Sequence, residues 1–151
     1  EFGLKNIKTY IQSGNIIFEA DLEDTAKLAL RIQNGILERF GFEVPVICLT
    51  AETLQHAVKR NPFATEATPL SQLHLSFFNK VPEKSLAEAL QEIDLSPDQF
   101  HLQNTFIYLN ISGKYHKTKL SNALFEKKLK VSATTRNWKT VMKLSELLQA
   151  Y

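Results

Sequence analysis

A single cysteine, Cys48, is all the thiol this chain has, which excludes an internal disulfide and fits a reducing compartment such as the cytoplasm. Uninterrupted apolar runs reach only a few residues, too short for a helix to cross a bilayer, so no membrane association is expected. No signal peptide is visible, and the chain opens on Glu1. Five glycines and five prolines in 151 residues leave no collagenous or low-complexity segment. The histidines His56, His74, His101 and His116 share no metal-ligand spacing, so no metal site is expected. Neither a nucleophile elbow nor a paired-carboxylate motif appears, and no cofactor fingerprint. No catalytic residue is assigned, and catalysis stays open because active sites assemble from distant residues. Ser112-Gly113-Lys114 invites comparison with a phosphate loop but lacks a second glycine before a Lys-Ser/Thr pair, so a P-loop is rejected.

Acidic side chains are scarce in one place. Residues 112–143 hold nine Lys and Arg against Glu126 alone, a local charge of +8 inside a chain whose net charge is only +2. A partner meets the local field rather than the average. The same stretch holds the only tryptophan, in Thr134-Thr135-Arg136-Asn137-Trp138. That run reads as a strand end passing into a helix start, with Asn137 as N-cap. Helix-terminal N–H groups, the Arg136 guanidinium and Lys114, Lys117 and Lys119 would then converge on an anion. Lys114, Lys117, Lys119, Thr134, Thr135, Arg136 and Asn137 are the expected anion-binding residues. The plain alternative is that Asn137 only caps its helix while Arg136 pairs with a carboxylate.

Taken in order, residues 1–3 read as a helix tail stopped by Gly3. Residues 8–13 and 16–20 read as a hairpin about Gly14-Asn15, pairing Ile11 with Phe18 and Ser13 with Ile16 and leaving Tyr10 and Ile17 on the other face. Acidic residues 21–24 cap a helix over 25–40 that Gly41 ends. Residues 43–49 read as a short apolar strand with Pro45 on a free edge, and Thr50 opens a helix through a Thr-x-x-Thr variant of the capping box. Residues 62–71 form the expected linker between units 1–61 and 72–151. Beyond it come a strand at 73–79, a helix at 82–93, a hairpin at 99–103 and 105–111, a helix at 117–128, a strand at 131–135 and a last helix to Ala150. This β-α-β-β-α-β-α string is the order of a ferredoxin-like split βαβ unit with one extra helix. The first half reads as the same unit without its opening strand and helix. An α+β fold of two ferredoxin-like modules, the first incomplete, plus a C-terminal helix is therefore expected.

Phe106 and Tyr108 face one way on a strand, as base-stacking rings do in RNA-recognition motifs, but the Lys/Arg-Gly start of that motif is absent. Burial of both rings beneath the other module or the added helix is the favoured reading. Cys48, between Ile47 and Leu49, reads as core.

Three stretches together, Thr9–Phe18 (TYIQSGNIIF), Lys117–Asn122 (KTKLSN) and Thr134–Val141 (TTRNWKTV), resemble the bacterial family called domain of unknown function 1697. The resemblance covers nearly the whole chain and implies two ferredoxin-like α+β subdomains, with no activity attached. Members usually carry a Leu-Leu-Arg-Gly-Ile-Asn strand and a helix before the hairpin, and this chain starts after both. The resemblance thus implies a fragment whose first half is looser or borrows strand pairing. For function, a binding module for a phosphate-bearing ligand or nucleic acid is the leading expectation. An enzyme acting on a phosphorylated small molecule at the same corner, with His116 moving the proton, is an alternative. So is a protein-interaction unit.

Overall fold

The structure, a computed structural model, describes residues 2–12, 14–21 and 24–151. Its centre is the strand β3, Leu73–Phe78, all six residues of which are buried. Such a strand must be covered on both faces, since successive side chains point to opposite sides. It is flanked by β5 (Phe106–Asn110) and β6 (Ala133–Asn137), with β4 (Gln99–Gln103) outside β5 in the order β4-β5-β3-β6. Every neighbouring pair is antiparallel, so β3 and β4 run the same way with β5 inserted between them.

The two faces carry different cores. Phe78, Ile107, Leu109 and Ala133 lie under α3 (Lys84–Gln91) and α4 (Asn122–Leu129), which contribute Leu90, Phe125 and Leu129. Leu73, Leu75, Phe77, Phe106 and Tyr108 lie under α2 (Ala51–Lys59) and α5 (Trp138–Leu148), which contribute Leu54, Ala57, Trp138 and Val141. Phe106 and Tyr108 are thus interior rings, as the favoured reading had it. They are 7% and 1% exposed, and the Tyr108 hydroxyl donates to the Ala57 carbonyl at 2.9 Å.

The first half holds a two-stranded hairpin, β1 (Lys5–Tyr10) and β2 (Asn15–Glu19), and the helix α1, Thr25–Phe40. Asp24 caps α1 by accepting from the N–H groups of Ala26 and Lys27, and Gly41 closes it at φ +76°. Gly35 of α1 lets the Phe2 ring lie close against the helix, where a Cβ would make the ring shift. With antiparallel sheets and helices packed on them, the chain is α+β.

Several local expectations are corrected. The hairpin pairs Thr9 with Ile16 and Tyr10 with Asn15, so Asn15 belongs to a strand rather than to the turn. Ser13, and with it the expected Ser13 pairing, lies outside the described residues, as do Glu1, Leu22 and Glu23 of the expected helix tail and acidic run. The slip is even, so Tyr10 and Ile17 still share a face. Residues 43–50 are irregular rather than a strand. Among the described strands none pairs with them, and without a ladder partner an extended segment has no sheet to join. The helix expected over 117–128 begins at Asn122, after a short 3₁₀ turn at Tyr115–Lys117, because Ser121 is its cap and accepts from the Leu124 N–H. Its buried face is Phe125 and Leu129, and Lys127 is exposed. The final helix stops at Leu148 instead of Ala150. Cys48 is only half-buried. It lines a cavity of about 280 Å³ between α1 and residues 45–50.

Candidate functional site

Strand register decides where the basic C-terminal side chains go. β6 pairs Leu75 with Arg136, Ser76 with Thr135 and Phe77 with Thr134. Paired residues share a face, so Thr134 and Arg136 lie toward α2 and α5, while Thr135 lies toward α3 and α4. The expected cluster is therefore divided by the sheet itself.

On the α2/α5 side, Arg136 is half-buried and holds protein groups. Its Nε donates to the Asn15 Oδ1 at 2.7 Å, and its Nη1 donates to the Thr135 carbonyl at 3.0 Å and the Thr134 hydroxyl at 3.3 Å. Asn15 in turn donates to the Tyr10 carbonyl at 3.1 Å, which ties the first hairpin to β6. Desolvation pulls the Arg136 pKa below its ordinary value. A guanidinium is too strong a base for that to cost its charge.

On the other side, the Thr135 hydroxyl sits between the Ser76 hydroxyl and the Asn122 Oδ1, at 2.6 Å from each. It links β3, β6 and the first residue of α4 in one chain of hydrogen bonds. Asn137 is the N-cap of α5, its Oδ1 accepting from the Thr140 N–H at 2.8 Å. Its ladder partner His74 stacks on Tyr115 with ring centroids 4.7 Å apart. Burial holds His74 below the ordinary histidine pKa, an effect that the Gln72 backbone partly offsets.

Lys114, Lys117 and Lys119 belong to the segment that enters α4, on the α3/α4 side. A carboxylate the sequence did not single out organises that segment. Asp98 Oδ1 accepts from the Ser112 N–H at 3.0 Å and the Ser112 hydroxyl at 3.2 Å, and its Oδ2 accepts from the Thr118 hydroxyl. All three lysines are exposed, as are Lys127, Lys128 and Lys130 at the far end of α4. Among the described residues the ion pairs are Lys5–Asp21, Lys84–Glu88 and Lys143–Glu146, so none of these six lysines is paired. Glu126, the one acid among them, accepts from the Ala133 N–H at 3.1 Å.

Lys114, Lys117 and Lys119 lie, exposed, on the segment that leads into α4. Thr135 sits at the base of that face, and Arg136 and Thr134 lie behind the sheet. Sequence reasoning missed Asp98, Asn15, Ser76 and Asn122, the groups that hold the named residues. Each lies far along the chain from at least one partner, and only the fold reveals the contact.

A family described as "Protein of unknown function (DUF1697)" matches residues 1–108. A solved structure described as conserved bacterial protein SP0830 from Streptococcus pneumoniae is similar at 20% identity with a TM-score of 0.76. The likeness covers 98% of this chain and 83% of that one. No curated protein matches. Among the described residues, no helix is long and apolar enough to cross a membrane.

Proposed function

We propose, for a chain that belongs to the DUF1697 family of proteins of unknown function, that it is a binding module for a phosphate-bearing ligand and that the ligand is a nucleic-acid strand. One observation carries this reading: six exposed, unpaired lysines around α4, Lys114, Lys117, Lys119, Lys127, Lys128 and Lys130, with Glu126 already bonded to backbone. The lysines stand before and after an eight-residue helix, which is about 12 Å long. A single phosphate cannot touch both groups, whereas successive phosphates of a polymer can. Phe106 and Tyr108 are interior, so recognition would run through the backbone and tolerate sequence. Thr135 and Asn137 then hold the binding face in place, while Arg136 and Thr134 anchor the first hairpin.

The test is binding of a fluorescent single-stranded oligonucleotide against salt. Each neutralised phosphate contributes about 0.7 to the logarithmic slope, so six lysines give a slope near −4. Lys127→Ala/Lys128→Ala/Lys130→Ala lowers it by about 2. Absence of binding at about 50 mM salt defeats the reading.

We also propose that residues 72–151 are a ferredoxin-like module and 1–61 a partial one, with 62–71 between them. The order β4-β5-β3-β6, with β3 and β4 parallel around β5, supports this for the second unit. A lone cysteine suits the reducing cytoplasm.

A further inference from the structure

A groove on the opposite side of the sheet from α4 has a lining that matches one kind of ligand. It runs along α5 from Trp138 to Gln149, against α2 and the short turn at Leu70. Its volume is about 820 Å³, within the range of sites that hold small molecules. Trp138, 3% exposed, and half-buried Val58 form the floor. Leu70 and Met142 form the apolar walls and are left 63% and 45% exposed. Large apolar side chains open to water around such a depression form a surface that an apolar ligand can cover.

The charges on the rim select the occupant. Lys59, Lys139 and Lys143 face Glu146 alone, and Glu146 is held by Lys143 at 2.9 Å. Lys59 and Lys139 are exposed, and neither has a carboxylate partner among the described residues. The groove thus offers an apolar track beside two cations with no counter-ion. An α5 of eleven residues makes that track about 16 Å long.

We propose that this groove binds a long-chain carboxylate, its hydrocarbon chain on Leu70, Trp138 and Met142 and its head group between Lys59 and Lys139. The site is independent of the lysines around α4. An amphipathic helix from a partner is the less suitable occupant. It is about 10 Å across and has no single anionic head to set between Lys59 and Lys139.

Met142 is the only methionine, so methyl-labelled methionine gives one resonance located in the groove. Dodecanoate below its micelle concentration is expected to shift that resonance saturably at one equivalent. Lys59→Glu/Lys139→Glu is expected to weaken dodecanoate roughly ten-fold. Dodecyltrimethylammonium, with the same chain and the opposite charge, is expected to bind the native protein more weakly than dodecanoate. Any of three results overturns the proposal: no saturable shift, equal affinity for the cationic amphiphile, or a charge-reversed variant that binds dodecanoate as before. The two lysines are exposed, so their replacement leaves the fold intact, which an unchanged urea midpoint of the unliganded variant verifies.

Discussion

Removing one oxygen from Tyr108 separates an interior ring from a binding ring. The hydroxyl donates at 2.9 Å to the Ala57 carbonyl of α2, and both residues are 1% exposed. A net intramolecular hydrogen bond is worth about 0.5–1.5 kcal/mol, and a buried acceptor left unsatisfied adds to that. Here the acceptor is not abandoned, because the Arg60 N–H also donates to the Ala57 carbonyl at 3.3 Å. Tyr108→Phe is therefore expected to cost about 1 kcal/mol, or about 2–4 °C in a chain of this size. Tyr108→Ala, which empties a space between β5 and α2, is expected to cost about 3–5 kcal/mol. Urea unfolding followed by Trp138 fluorescence measures both, with the midpoint moving and the slope unchanged. The pH dependence adds a second signature. Desolvation raises the Tyr108 pKa above its ordinary value of 10.0, against a smaller opposing effect of Arg60. The stability that goes with the raised value is complete below the unfolded pKa and is lost as pH climbs through the folded one. The gap between native protein and Tyr108→Phe should therefore narrow above about pH 10. A Phe variant as stable as the native protein that no longer binds oligonucleotide would refute the interior assignment.

Loss of the α5 cap in Asn137→Ala should cost about 1 kcal/mol by the same unfolding assay, with Asn137→Asp recovering most of it. His74 is held below the ordinary histidine value by burial, so its contribution is complete above about pH 6.5 and lost as pH falls. Between pH 7 and 5 the native protein should lose stability that His74→Phe, which keeps a ring against Tyr115, does not lose. A fragment of residues 50–151 retains Leu54 and Ala57 over the α2/α5 face, and a fragment of 72–151 does not. The shorter one should bind a hydrophobic dye such as ANS and melt lower, and equal melting would place α2 wholly with the first unit.

Periodicity made most elements legible because each one is covered on a defined side. Ile107, Leu109 and Ile111 pack under α3 and α4 while Phe106 and Tyr108 pack under α2, an alternation visible in the residue types alone. Capping chemistry was legible for the same local reason. Thr50 accepts from the Thr53 N–H at 3.1 Å, and Asn137 accepts from Thr140 three residues on. Where a feature needs a distant partner, the local signal misleads. Residues 43–50 have the composition of a strand, yet a strand exists only in a ladder. The Gly14-Asn15 pair looks like the centre of a tight turn, yet Asn15 is held in β2 by Tyr10 and engaged by Arg136.

The candidate site was hardest to read for a reason that Arg136 makes plain. Five consecutive residues, 134–138, were legible as strand end and helix start, and that much is correct. Closeness in sequence is closeness in function on a loop but not on a strand, whose successive side chains point to opposite faces. Along β6, alternate side chains are separated by the sheet, so Thr135 serves Asn122 and Ser76 while Arg136 serves Asn15. A cation at a strand position can reach an external anion on one face only. It does so only when that face is not already built over. Lysines that flank a short helix are under no such constraint, because both of their approaches open to solvent. Charge counted along the sequence groups all nine cations of residues 112–143 together, and the pleat of β6 separates Arg136, which is bonded to Asn15, from the exposed lysines around α4.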